Sequence, residues 1–214
     1  QGIIESNPNA KVIQLTKSVC GPFFDVAPVN EPDYSIRWAK DCLDFTGKVR
    51  EWLKENTSVK YAVLSSPFSQ YVSQNSKLLF RNGNLSSASI MLAAKEFKKT
   101  LNELKEMGIK PIVFSPPPAN GTNLGRCLAR ADWAGLSLNK CDFRVDEITN
   151  VRVNVYQLLK LIEKTNNVVH LDKLICDTFL CKTHFDSTYI FRDAGHLSHE
   201  GSAALGKKYN FYDI

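Results

Sequence analysis

The sequence contains no long apolar segment. No run approaches the roughly 18 residues that a membrane-spanning helix needs, so we expect this chain not to cross a bilayer. It also shows no signal peptide and no initiator methionine, since it begins QGIIESNPNAK. This beginning indicates a mature product or a piece of a longer protein.

Clusters of like charge are also absent. The net charge is +5, but lysine and arginine are scattered, and the densest stretch, KEFKKTLNELKE, mixes them with acids. Such a stretch is typical of the solvated face of a helix, and it does not indicate a nucleic-acid-binding stripe. Nucleic acid is therefore not an expected partner. With 43% hydrophobic and 23% charged residues, the 214-residue chain has the composition of a globular protein with a core.

Cysteine, by contrast, is present in an even number. The six cysteines fall into pairs that are close in sequence, namely Cys20 and Cys42, Cys127 and Cys141, and Cys176 and Cys181. Pairing of neighbours would give three disulfides and indicate an oxidising compartment, although other pairings stay open. A zinc site formed by Cys176, Cys181 and His184 is the alternative, but its spacing is irregular and a fourth ligand is missing nearby. We expect no metal.

Short apolar runs alternate with helical periods along the chain. The runs are typical of parallel strands buried on both faces, and they lie at residues 11–16, 61–66, 110–115 and 167–172. Apolar residues spaced by three and four predict helices over 35–55, 86–107 and about 148–165, and a last helix from near Ser198. The alternation predicts an α/β fold with a parallel sheet. Because no repeat or linker interrupts it, we predict a single domain over residues 1–214.

The first residues and the loops add two expectations. The segment QGIIESNPN is typical of the last turns of a helix that runs into the strand at Lys11, so we expect a strand and most of that helix upstream of Gln1. The loops that follow the strands, KSVCGPFFD, SPFSQYVSQ and SPPPANGTN, are rich in small polar residues. In parallel sheets such loops lie at the carboxyl ends of the strands, where the functional site is expected.

Near the C-terminus, the stretch FRDAGHLSHEG places Asp193 three residues before His196. Imidazole is suited to general-base catalysis near neutral pH, and an aspartate on its other ring nitrogen fixes the tautomer. The small residues Ala194 and Gly195 let the chain curl, and Ser198 is suited to cap the last helix. The pattern alone also fits a loop aspartate beside a surface histidine, but its position before the last helix of an α/β chain favours a catalytic pair.

The stretch DAGHLSHEG resembles the last block of the SGNH (GDSL-like) hydrolases. Its D-x-x-H-L-S-x-x-G form resembles the SGNH domain fused to membrane-embedded acyltransferase-3 proteins, which include O-antigen acetyltransferases. VIQLTKSVCGPF, IVFSPPP followed by GRCLAR, and LICDTFLC are similar to further segments of that family, so the resemblance covers nearly the whole chain. It implies a three-layer α/β/α sandwich with a central, mainly parallel sheet, here lacking the N-terminal strand and the nucleophile block.

The resemblance also implies roles for single residues. His196 is the general base and Asp193 orients it, while the serine nucleophile of the Gly-Asp-Ser block would lie upstream of Gln1. The glycine whose N–H helps to form the oxyanion hole aligns near Val19 or Gly21.

Other side chains have weaker assignments. Ser18 and Ser66 follow strands and are further candidates for the pocket, but neither has the setting of a nucleophile elbow. Trp133 is suited either to stack on a sugar ring or to pack under the loop that the neighbouring cysteines would close.

The function that the resemblance implies is that of a periplasmic domain of an inner-membrane O-acetyltransferase. The membrane-embedded acyltransferase-3 domain of the same polypeptide would supply an acetyl group. A sugar hydroxyl of a surface polysaccharide, lipopolysaccharide O-antigen, would accept it through a Ser-His-Asp mechanism. No cofactor is expected in this domain. Two alternatives stay open: a carbohydrate acetyl esterase, and a non-catalytic glycan-binding or docking module.

Overall fold

The computed structural model describes residues 1–7 and 9–213. It divides into two compact units, each assembled from separate stretches of the chain. The first unit comprises Gln1–Gln14, Pro116–Thr149 and His170–Ile214, and the second comprises Leu15–Ser115 and Asn150–Val169. The single domain over residues 1–214 stays a prediction.

Eighteen helices and strands, besides short 3-10 turns, are found among the described residues. In chain order they are α1 (Gly2–Ser6), β1 (Val26–Val29), α2 (Ile36–Glu55), β2 (Tyr61–Ser65), α3 (Ser69–Val72), β3 (Lys77–Phe80), β4 (Leu85–Ser87), α4 (Ile90–Glu106), β5 (Lys110–Phe114), α5 (Leu124–Trp133), β6 (Phe143–Arg144), α6 (Asn150–Glu163), β7 (Asn167–Val169), α7 (Leu171–Ile175), β8 (Leu180–Cys181), β9 (His184–Phe185), β10 (Thr188–Tyr189) and α8 (His199–Tyr209).

The second unit contains a parallel sheet in the order β2-β5-β7. Val63 of β2 lies opposite Ile112 of β5, and Val113 lies opposite Val168 of β7. This sheet and its connecting helices confirm the predicted α/β class. A second sheet, with antiparallel order β1-β3-β4, was not predicted, because its strands are short and lie within segments without strict alternation.

The two longest helices of the second unit begin at capping serines. Ser35 accepts the backbone N–H of Trp38 at the start of α2, and Ser89 does the same for Leu92 at the start of α4. The apolar faces of α4 and α6 pack together into the main core of this unit, with Phe97 among its fully buried residues. The predicted helices over 35–55, 86–107 and 148–165 are thus confirmed as α2, α4 and α6 within a few residues.

Two strand predictions are wrong. Residues 11–16 form no strand, and Val12 and Ile13 are exposed. β2 was expected to be buried on both faces, yet Tyr61 and Val63 are about half exposed. Exposure alternates along β2, so one face of this strand meets solvent.

The first unit has little sheet and is organised by close backbone packing. The α1 helix, within the segment expected to be helical, packs on α8 so tightly that a Cβ on Gly206 would lie 2.1 Å from the carbonyl oxygen of Gly2. Two short antiparallel pairs, β9 with β10 and β6 with β8, complete the unit. No helix in the described ranges combines the length and apolar character needed to span a membrane.

Three disulfides are present, and they join the neighbouring cysteines. Cys20 is bonded to Cys42 in the second unit, while Cys127–Cys141 and Cys176–Cys181 lie in the first unit. The zinc site predicted as the alternative is therefore wrong, since the thiols of Cys176 and Cys181 are joined to each other.

Candidate active site

Asp193 and His196 lie on a tight loop of the first unit, which we call the His196 loop (residues 192–196). The backbone N–H of Arg192 donates to the carbonyl oxygen of His196 at 2.9 Å and closes the loop. Outside this bond, Phe191 forms a bridge with Leu197, and Phe191 is buried. A short antiparallel backbone pairing, next to the buried side chain of Phe191, thus holds the loop in place.

The two side chains of the pair meet directly. Nδ1 of His196 lies 2.9 Å from Oδ1 and 3.0 Å from Oδ2 of Asp193. A carboxylate only accepts, so Nδ1 carries the proton, and in the neutral ring Nε2 presents its lone pair. Nε2 has no hydrogen-bond partner among the described residues, and the His196 side chain is 65% exposed. The arrangement holds a base with its reactive nitrogen open to a substrate.

Asp193 is fixed by the backbone of its own loop. Its Oδ1 accepts the N–H groups of Gly195 and His196, both at 2.9 Å. Burial would raise the pKa of this carboxyl, but these two N–H groups and the His196 ring outweigh burial and hold the pKa well below its usual range. Asp193 is therefore ionised at neutral pH and can stabilise an imidazolium at His196.

The α5 helix supports the His196 loop from one side. A Cβ on Gly125 would lie 1.9 Å from the carbonyl oxygen of Arg192 and 3.0 Å from the backbone nitrogen of Asp193. No other residue fits this contact without moving the loop. At the far end of α5, the Tyr189 hydroxyl donates to Oδ2 of Asp132 at 2.7 Å. Residues 189–192 therefore run alongside α5, a relation that sequence reasoning missed although GRCLAR was noted.

The α8 helix supports the same segment from its other end. Ser198 caps α8 by accepting the N–H of Gly201 at 2.7 Å, as predicted, and its hydroxyl donates to the carbonyl oxygen of Tyr189. A Cβ on Gly201 would lie 2.5 Å from Cα of Ile190, so a side chain there would push α8 off the strand that leads into the loop. The last glycine of the D-x-x-H-L-S-x-x-G block thus has a packing role.

The predicted oxyanion and pocket candidates lie in the second unit. Three of them lie on what we call the Gly21 loop (residues 17–23), and the fourth, Ser66, follows β2. The N–H of Gly21 already donates to the hydroxyl of Tyr71 at 2.9 Å, a geometry that argues against Gly21 as an oxyanion donor. Val19 has a φ of 60°, a left-handed conformation that is rare for a β-branched residue, and its N–H makes no hydrogen bond within the described chain. Val19 thus remains the candidate donor on this loop.

The two serine candidates differ in their contacts. The hydroxyl of Ser66 accepts the N–H of Phe68 at 3.3 Å, so Ser66 helps to shape the turn after β2. Ser18 makes no hydrogen bond within the part of the chain that the structure describes. Both stay predictions as pocket residues.

His184, His199 and Trp133 have clear surroundings. His184 bonds to Asp186 and Asn139, and His199 is an exposed first residue of α8. Trp133 is 90% exposed, so the interpretation that it packs under the disulfide-closed loop is wrong.

Comparison with known proteins places these features in a family. The model of SGNH domains fused to AT3 domains matches residues 4–210. The chain belongs to this SGNH family. No curated protein matches the chain. Among solved structures, the SGNH domain is similar to the periplasmic domain of a lipopolysaccharide acetyltransferase of Salmonella ser. Paratyphi A, with a TM-score of 0.61 and 14% identity over 90% of this chain and 69% of that one. The likeness confirms the predicted SGNH fold.

Proposed function

We propose that this SGNH domain transfers an acetyl group to a sugar hydroxyl of a surface polysaccharide, with His196 as the general base. The supporting observation is that Nδ1–H of His196 donates to Asp193 while Nε2 stays open to solvent. A binding module would have no need of a histidine fixed in its basic tautomer. Two comparisons support the same function. The chain belongs to a family of SGNH domains fused to AT3 domains, and it is similar to the periplasmic domain of an acetyltransferase.

The proposed reaction has two halves. In the first, Nε2 of His196 takes the proton of a serine hydroxyl, which the family resemblance places upstream of Gln1, and the serine oxygen attacks the carbonyl carbon of the acetyl donor. The donor's leaving group departs with the proton from the imidazolium. Throughout, ionised Asp193 stabilises the positive charge on His196 without accepting a proton.

In the second half, the acetyl group passes to the sugar. Nε2 removes the proton of a sugar hydroxyl, whose oxygen attacks the acetyl-serine carbonyl. The serine oxygen leaves and regains the proton from His196, which restores the starting state.

We also propose an acetyl donor, an acceptor and a cellular compartment for the reaction. The AT3 domain of the same polypeptide supplies the acetyl group from the membrane, and lipopolysaccharide O-antigen is the acceptor. The three disulfides favour the periplasm, since disulfides persist in oxidising compartments. No residue of the described chain is assigned to a cofactor.

Acetyl ester hydrolysis is a second candidate. The 65% exposure of the His196 side chain gives water access to Nε2, and water would then replace the sugar hydroxyl in the second half. Release of free acetate without acetylated polysaccharide would favour this activity.

The test replaces His196 with alanine in the whole protein, in cells that make its polysaccharide. We expect O-acetyl groups on the polysaccharide, measured by NMR, to be lost because no base remains. The matched control is His199→Ala, which removes an exposed histidine three residues away and should leave acetylation unchanged. Acetylation that persists in His196→Ala would contradict the proposal and favour a binding module.

A further inference from the structure

Trp133 stands out among the apolar side chains. At 90% exposure it is the most exposed large hydrophobic residue of the described chain, whereas the other two tryptophans, Trp38 and Trp52, are partly buried. An indole in water forgoes the favourable burial that the rest of the core obtains. An exposed indole offers a large apolar face and an N–H group, both of which are available to a ligand.

The support of Trp133 is rigid. It is the last residue of α5, and the disulfide Cys127–Cys141 ties this helix to the segment that follows it. The preceding residue, Asp132, accepts the hydroxyl of Tyr189 at 2.7 Å. An aromatic ring on a fixed support binds a ligand with little loss of conformational entropy.

The position of Trp133 is set by the two contacts of α5. Gly125 touches the backbone at Arg192 and Asp193, and Asp132 is bonded to Tyr189, so the helix follows the strand that leads to the His196 loop. Eight residues separate Gly125 from Trp133, and an α-helix rises by 1.5 Å per residue, which gives about 12 Å. Trp133 therefore lies about 12 Å along α5 from the point where this helix touches the His196 loop.

We propose that Trp133 is a subsite for the acceptor polysaccharide, stacked on a sugar ring other than the ring that faces His196. This inference rests on the proposed function. The apolar C–H face of a pyranose matches an indole face, much as other amphipathic rings do. Oδ1 of Asp132, which has no hydrogen-bond partner in the described ranges, is available to accept a hydroxyl of the same sugar.

The test measures binding to the purified whole protein. The probes are the lipid-free O-polysaccharide of the organism that encodes the protein and a single repeat unit of that polysaccharide. Calorimetric titration of Trp133→Ala should show binding of the long chain weakened about three- to tenfold, the range expected for one lost aromatic contact. Binding of the single repeat unit at the His196 loop should not change, and Trp133→Phe should retain part of the affinity for the long chain.

The matched control is Phe179→Ala. Phe179 is another strongly exposed aromatic residue of the first unit, located in the loop closed by Cys176 and Cys181. This variant should bind both probes as the unchanged chain does. Circular dichroism checks that all variants fold.

The outcomes separate the subsite from the proposed function. Equal binding of the long chain by Trp133→Ala and the unchanged protein overturns the subsite, and so does a lack of binding by the unchanged protein. If His196→Ala keeps acetylation in cells while Trp133→Ala loses affinity, the proposed function fails and a polysaccharide-binding surface remains. Loss of acetylation in His196→Ala with no effect of Trp133→Ala on binding removes the subsite alone.

Discussion

The His196 loop and the Gly21 loop are both short and are both held by a polar side chain that contacts backbone N–H groups. In the His196 loop that side chain is Asp193, which reaches the N–H groups of Gly195 and His196 within three residues. In the Gly21 loop it is Tyr71, which reaches the N–H of Gly21 from fifty residues away. The His196 loop is organised by its own residues, whereas the Gly21 loop is organised by the core of the second unit.

The two loops therefore differ in what they depend on. The Tyr71 ring is buried and stacks on Phe23 with ring centroids 4.0 Å apart, and burial raises the pKa of its hydroxyl well above the usual value. The His196 loop, by contrast, turns its reactive ring into solvent. We expect changes in the His196 loop to alter activity more than stability, and changes at Tyr71 to alter stability more than activity.

The largest effect is expected for Asp193→Asn. An amide at this position offers an NH₂ group as well as an oxygen, so it no longer fixes the proton on Nδ1 of His196, and it cannot stabilise the imidazolium. The acetylation rate should fall about 10³- to 10⁴-fold, as in other Ser-His-Asp sites. Initial rates in membranes that contain the whole protein measure this effect.

A matched control for this change is Asp177→Asn. Asp177 also accepts two backbone N–H groups, those of Phe179 and Leu180, but it has no histidine partner. Its replacement should leave the rate within a few fold of the unchanged protein. A rate for Asp193→Asn within tenfold of the unchanged protein would show that the pair is structural.

Gly125→Ala should give the next largest effect. The new Cβ would overlap the carbonyl oxygen of Arg192, so the His196 loop must shift. A displacement of about 1 Å at a catalytic group costs about a hundredfold in rate, and such overpacking lowers the free energy of unfolding by about 1–3 kcal/mol. Rates and urea unfolding measured on the same variant separate the two effects.

Gly206→Ala is the control for stability. Its Cβ would meet the carbonyl oxygen of Gly2 at 2.1 Å, a clash of similar severity, but between α1 and α8 and away from the His196 loop. Unfolding should become easier in both variants, whereas only Gly125→Ala should lose activity beyond the loss of folded protein. Equal activity losses would mean that α5 does not position the loop.

The same contrast explains how far the sequence could predict the site. Asp193 and His196 were predictable as a pair because the partners are three residues apart and the small residues between them permit the turn. Two other contacts join distant segments: the hydrogen bond from Gly21 to Tyr71 and the contact of Gly125 with Arg192. No local sequence pattern predicts them. Their only signal in the sequence was a glycine at each site.

The helices and strands, too, were predictable only where the sequence signal is local. The helices α2, α4 and α6 were predictable because their apolar spacing reflects one buried face that each helix presents. Residues 11–16 have the composition of a strand but form none, since composition does not determine which segments join a sheet. In the antiparallel sheet β1-β3-β4, the pairing of β1 with β3 joins distant segments, and the local hairpin of β3 with β4 was missed because both strands are short.

Tyr71→Phe should produce a smaller effect, and mainly on stability. It removes the hydroxyl that accepts the N–H of Gly21 and leaves that group unsatisfied in the interior. We expect the free energy of unfolding to fall by about 1–3 kcal/mol in urea titrations. Tyr61→Phe, at a half-exposed ring, is the control and should change it little. An acetylation rate that falls more than the folded fraction would show that the Gly21 loop takes a direct part in catalysis.

The smallest effect is the dependence of stability on pH that Asp193 contributes. Because its pKa is lower in the folded than in the unfolded state, the unfolded chain binds more protons between the two values, and stability rises with pH across that interval. The contribution to stability is complete above the ordinary pKa of 3.8 and is lost as pH falls through the pKa of the folded state.

The Asp193 side chain is 32% exposed, so solvent screening keeps this contribution to stability modest. Urea unfolding of the unchanged chain and of Asp193→Asn should therefore differ more at about pH 6 than at about pH 3. If the difference in the free energy of unfolding is the same at both pH values, the ionised carboxylate of Asp193 is not stabilised by its loop. The local organisation that distinguishes the His196 loop from the Gly21 loop would then not be electrostatic.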